Sequence, residues 1–165
     1  MLYETAEDRQ VESSVARKLG DAWNVEVWSF VPQVTTGDLL LGRDGVLKAI
    51  CEVKRRYNPI GAYPTYIISR AKLERVALLA RITKSKGLIV IQFDDALAWY
   101  NAEEALDYPS SIGGRYDRQD PNDVEQMTHI PIDDLNPVAY CDRRDEIEYR
   151  NDCNDWLAEL SAGDN

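Results

Sequence analysis

The stretch TGDLLLGRDGVLKAICEVKRR, residues 36–56, constrains the fold more than any other part of the chain. Leu39 to Leu41 and Val46 to Val53 are apolar and partly β-branched, and Arg43-Asp44-Gly45 between them is turn chemistry. The segment therefore predicts two antiparallel strands. Side chains alternate along a strand, so Lys48, Ile50, Glu52 and Lys54 share one face and Ala49, Cys51 and Val53 the other. A hairpin of this length brings Asp38 to its open end, opposite Glu52. Two carboxylates there, with no soft ligand nearby, suit a hard divalent ion such as Mg²⁺ or Mn²⁺. Glu-x-Lys alone is commonly a solvated ion pair at a strand end, and Asp after Gly is ordinary in turns. The informative feature is the whole series: Asp38, strand, tight turn, strand, then Glu52-Val53-Lys54.

That series resembles the PD-(D/E)XK nuclease superfamily, the fold of restriction endonucleases and archaeal Holliday-junction resolvases, and in particular its small phage-encoded members. The resemblance implies a metal-dependent nuclease acting on DNA, duplex or branched, and leaving a 5′ phosphate. It gives metal binding by Mg²⁺ or Mn²⁺ to Asp38 and Glu52, with the backbone carbonyl of Val53, and gives Lys54 the task of orienting or activating the water. The chemistry is consistent, because phosphodiester hydrolysis needs a cation to polarise the phosphate and acidify a water. One departure is Gly37, which stands where the family name has proline.

Around the hairpin, residues 4–19 read as a first helix, with Val11, Val15, Ala16 and Leu19 in one stripe and Gly20 as a natural stop. Glu12 rides on that stripe. In resolvase-like members a first-helix Glu completes the metal site, which points to Glu12, with Glu7 and Asp8 as fallbacks. Trp23 to Phe30 alternates as a first strand ended by Pro32, and Gln33 lies in the loop that leads to Asp38, within reach of a water or a phosphate. Residues 57–66, YNPIGAYPTY, read as a loop that follows Lys54-Arg55-Arg56 directly. Aromatics interleaved with Arg55 and Arg56 suit a surface that stacks on bases and neutralises phosphates, or equally a packed loop covering the core edge. The resemblance adds Tyr66 and Lys72 as residues that bind the nucleic-acid backbone or assist at the metal.

A helix over 68–83 follows, with Ala71, Val76, Leu79 and Ala80 expected inward. LIVIQF then reads as a strand buried on both faces. The expected fold is α/β, a restriction-endonuclease-like core of order α-β-β-β-α-β, its mixed central sheet flanked by helices. Residues 94–104 lean toward a short helix or irregular segment, and 110–114 toward a turn. Residues 128–135 are expected as a last short strand in which the lone His129 packs. The core spans 1–140, and 141–165 is expected as an acidic C-terminal helix or tail of the same unit.

The net charge of −10 seems to oppose nucleic-acid binding, but its distribution decides. Residues 43–86 carry 11 lysines and arginines against three acids, whereas residues 117–165 carry four against 14. A positive field beside the proposed metal site is what a phosphate backbone requires. The acidity elsewhere predicts weak, salt-sensitive non-specific binding. Three cysteines without CxxC spacing argue against a disulfide framework or a zinc cluster. With no apolar run of about 20 residues and an acidic first ten, the sequence reads as a cytosolic protein, in the host cytoplasm if phage-encoded. Resolvase-like relatives are often dimers, so a homodimer is a further expectation. A reading of a different class is a nuclease-fold binding protein that engages a protein partner through its acidic surface. Cleavage of RNA is a third, since nothing in the sequence reads a 2′ hydroxyl.

Overall fold

The computed structural model describes residues 6–29, 37–114, 124–141 and 147–149. Helix α1, Ala6–Trp23, carries Glu7 and Asp8 in its first turn, where acids complement the helix dipole. It runs through Gly20 because the apolar stripe continues from Leu19 to Trp23, and both are fully buried. The helix stops instead at Asn24, whose φ of 49° is the left-handed conformation common just past a helix end.

Strand β1 (Glu26–Ser29) pairs antiparallel with β2 (Leu39–Arg43), which pairs antiparallel with β3 (Val46–Arg55). The β2–β3 turn is Asp44-Gly45, with φ of 54° and 75°. Two left-handed residues make the turn whose twist matches that of a hairpin. The sequence expectation for this hairpin holds. The chain then crosses through β4 (Thr65–Ser69) and α2 (Arg70–Thr83) to β5 (Lys86–Gln92), which lies parallel to β3. The expected α-β-β-β-α-β core is thus present, with one extra strand in the crossover.

Several segments differ from expectation. Residues 96–101 form β6, antiparallel to β5, where a helix or irregular segment was the reading. Ser110–Gly114 is β7 rather than a turn, and it pairs with β8 (Val124–Pro131). The strand holding His129 is not the last, because β9 (Asn136–Cys141) and β10 (Ile147–Tyr149) follow. Ile147–Tyr149 is therefore strand where a C-terminal helix was expected; the rest of 142–165 lies outside the described residues, as does Gln33. The strands form one seven-stranded sheet, β1-β2-β3-β5-β6-β9-β10, and one three-stranded sheet, β4-β8-β7. No helix among the described residues is long and apolar enough to cross a membrane.

Two buried clusters sandwich the large sheet. On one face Val15, Leu19 and Trp23 of α1 pack with Leu39, Leu41, Cys51, Val53, Leu88 and Val90. On the other, Leu73 and Val76 of α2 pack with Ile89, Ile91, Tyr66 and Ile68. In register, Glu52 lies beside Ile89 and Lys54 beside Ile91. The two charged residues therefore emerge on the α2 face.

Candidate active site

Asp38 and Glu52 are held by backbone amides at the open end of the hairpin. The amide of Asp38 donates to the Cys51 carbonyl (2.7 Å), and its carboxylate Oδ2 accepts from the Val53 amide (2.6 Å). The ladder ends there because a carboxylate has taken a ladder donor. Glu52 Oε2 accepts from the Gly37 amide (3.2 Å). Gly37 has φ of 93°, a conformation closed to proline, and proline has no N–H to donate. Glycine where the family name has proline thus gives Glu52 a hydrogen bond.

Two lysines face the acids. Lys54 Nζ lies 2.7 Å from Glu52 Oε1 and donates to the Val53 carbonyl (2.8 Å). Lys72, in the first turn of α2, lies 3.6 Å from the same Oε1. Ser69 fixes that turn, accepting from the Lys72 amide (3.4 Å) and donating to Glu125 (2.5 Å). Burial and then the Glu52 charge hold the Asp38 carboxyl above its ordinary pKa. Burial also pushes Glu52 upward, but the Lys54 charge and hydrogen bond, with Lys72 and the Gly37 amide, outweigh it and leave Glu52 below its ordinary value. Burial and the Lys54 charge lower Lys72, opposed by Glu52, Asp38 and Glu125.

These shifts give a prediction. A carboxyl raised in the folded state is ionised at neutral pH at a cost to stability, and that cost appears as pH rises through the folded pKa. Asp38→Asn keeps an acceptor for the Val53 amide and removes the charge. It should raise the melting temperature at pH 7 in EDTA by a few degrees, about 1 kcal/mol, and the gain should vanish in acid. A lower melting temperature at pH 7 would mean that Asp38 is a net stabilising charge.

The remaining sequence candidates separate. Arg55 donates to the Gln92 carbonyl (3.0 Å), pairs with Asp94 and lies over the Tyr57 ring at 4.6 Å. Arg56 donates to the Ile67 carbonyl (3.0 Å) and lies over the Tyr66 ring at 4.8 Å. Both guanidiniums fix strand ends in this state. Tyr66 is a core residue, its hydroxyl pushed up to about 12 by burial, and that hydroxyl has no hydrogen-bond partner among the described residues. Glu12 is half-buried on α1, the helix that covers the opposite sheet face. The first turns of α1 do reach the end of β3, where Tyr57 donates to Glu7 (2.7 Å). Among the described residues, however, no three of Asp, Glu, His and Cys converge where a metal could be held.

Sequence reasoning missed Lys18, a buried lysine whose Nζ donates to Gln92 Oε1 (2.7 Å) at the end of β5. Its signal was its place beside Leu19, three residues after Val15. His129 shares a hydrogen bond of 2.7 Å with Ser111, in the small sheet.

The residues fit a divalent cation. Lys54 places its ammonium on the two oxygens, Glu52 Oε1 and the Val53 carbonyl, that would face such an ion, and the raised Asp38 carboxyl is a site where added positive charge is favourable. The profile of the family described as "Phage putative PDDEXK endonuclease" matches residues 1–138. The chain belongs to that family. Its fold is similar to that of the Holliday junction resolvase Hjc of Archaeoglobus fulgidus, with a TM-score of 0.52 and 13% identity over 76% of this chain and 84% of that one. No curated protein matches the chain. The family member's hairpin thus sits in a restriction-endonuclease-like sheet.

Proposed function

We propose that this PDDEXK family member is a divalent-metal-dependent endonuclease that hydrolyses phosphodiester bonds of DNA and leaves a 5′ phosphate. The observation that carries the reading is the joint placement of Asp38 and Glu52 with Lys54 and Lys72 on one sheet face, at the end of a hairpin. Two acids and two cations are close to neutral. A divalent ion held by Asp38, Glu52 and the Val53 carbonyl would supply net positive charge for the phosphate and make a water acidic. Lys54 sits beside these oxygens and is the residue that orients the attacking water. Lys72 approaches the same Oε1 from α2 and neutralises charge that develops on the phosphate. DNA with a branch or an unpaired end is the favoured substrate.

The test is cleavage of a labelled single strand, blunt duplex, flap and four-way junction with Mg²⁺, Mn²⁺ or EDTA, by wild type and Lys54→Ala. Metal-dependent cutting that falls at least about a hundredfold in Lys54→Ala is expected. A folded wild type that cuts nothing would replace this reading with the binding protein that recruits a partner through its acidic surface.

A further inference from the structure

A cavity of about 300 Å³ opens beside the catalytic hairpin. We propose that it receives one unpaired nucleobase of the DNA substrate, adjacent to the phosphate held at Asp38 and Glu52. The inference rests on the nuclease reading and names the feature of DNA that the site selects.

Position comes first. Arg56, in one wall, is two residues past Lys54, and its amide donates to the Gln92 carbonyl (2.9 Å), so it continues the line of β3. Two residues of strand advance about 7 Å. Tyr66, in another wall, is near enough to Glu52 for that charge to act on its hydroxyl. A strand of DNA with a phosphate at Glu52 therefore carries its next one or two nucleotides past this opening.

Chemistry comes second. Phe93, Ile132 and Ile67 give apolar walls, and Tyr63, also in the lining, is 66% exposed. Ile67, 41% exposed, continues the same apolar rim. An exposed tyrosine beside an apolar hole costs solvation and offers a stacking face that any base can use. Arg56 adds a planar cation over the Tyr66 ring, and the guanidinium N–H groups not donated to the Arg55 and Ile67 carbonyls suit a base carbonyl or the following phosphate. Asn58, also in the wall, donates its side-chain amide to the Pro59 carbonyl (2.7 Å), which leaves its Oδ1 to accept from a base edge. A lipid or an aliphatic peptide would have no use for the guanidinium, and a sugar alone would leave the apolar walls wet.

A base stacked inside a duplex cannot reach such a hole. Only a base already unpaired, at a flap, a gap or a junction, enters without the cost of unstacking and unpairing. The cavity therefore makes the enzyme prefer DNA with an unpaired nucleotide beside the cut.

The experiment places the fluorescent base 2-aminopurine at each unpaired position of a flap and measures emission and affinity in EDTA, where nothing is cut. Wild type, Tyr63→Ala and Tyr63→Phe are compared, and a blunt duplex serves as reference. An emission change at one unpaired position is expected, with flap affinity about tenfold weaker in Tyr63→Ala and restored in Tyr63→Phe, and duplex affinity equal in all three. If wild type binds and cuts the flap while emission is the same at every position and Tyr63→Ala binds as tightly, the base site is wrong and the nuclease stands. If wild type neither binds nor cuts any DNA, both fall.

Discussion

Glu52→Gln should lower the cleavage rate on the order of 10³-fold, the scale at which a single group stabilising charge in a transition state is lost. Among the described residues Glu52 is the acid that both lysines contact, at 2.7 Å and 3.6 Å, and it is 8% exposed. Its removal also leaves Lys54 and Lys72 facing each other without their shared counter-charge. The variant should therefore lose stability as well, by about 1–2 kcal/mol, below the figure for a fully buried pair because both lysines are partly exposed. The sign follows from the depressed carboxyl. Glu52 contributes stability that is present above its unfolded pKa and lost as pH falls through its lower folded pKa. Wild type and Glu52→Gln should then differ most near neutrality and converge in acid. Asp38→Asn, by contrast, should be inactive and more stable at pH 7. Thermal melts in EDTA from pH 4 to 8, beside cleavage rates with Mg²⁺, read both quantities. Cleavage by Glu52→Gln within tenfold of wild type would remove Glu52 from the reaction.

This opposition between neighbours explains what the sequence could and could not show. The hairpin was legible because its determinants are local: Asp44-Gly45 specifies the turn, alternation assigns the faces, and together they set Asp38 opposite Glu52. The parallel placement of β5 was legible because a helix must connect it. Tyr66 was not. Its strand pairs with residues about 60 positions away, Tyr66 with Ile130, so a segment punctuated by Pro59, Gly61 and Pro64 read as a loop. The same holds for Ser110–Gly114, whose Gly-Gly pair suggested a turn while β8 supplied the ladder. Gly113 fits there because Met127 fills the space a side chain would need. On α2 the buried side is Leu73, Val76, Ala77 and Ala80, rotated from the expected one toward the β5 face. The apolar stripe of α1 was legible from Val11, Val15, Ala16 and Leu19, but which sheet face it would cover is set by packing on Cys51 and Val53. No local pattern encodes that choice.

The segment WNVEVW holds two tryptophans with opposite expected consequences. Trp23 is fully buried at the end of α1, edge-on to Trp99 with ring centroids 6.0 Å apart, and its carbonyl accepts a hydrogen bond from Arg43. Trp28 is 45% exposed on edge strand β1, lying across Gly42, where an added Cβ would come within 2.4 Å of its ring. Trp23→Ala removes the largest buried side chain from the cluster that joins α1 to the hairpin, leaving a cavity between α1 and the sheet. The cost should be about 3–5 kcal/mol, or roughly 10 °C in melting temperature for a chain of this size. Trp28→Ala should cost under about 1 kcal/mol, since its edge can rehydrate. Arg43 joins Trp23 to the turn end of β2 and β3, the end remote from Asp38. The folded fraction of Trp23→Ala should therefore retain its cleavage rate at low temperature while the melt shifts. Differential scanning calorimetry beside a cleavage assay at 15 °C separates the two. A Trp23→Ala melt within 2 °C of wild type would show that α1 is not anchored through this residue.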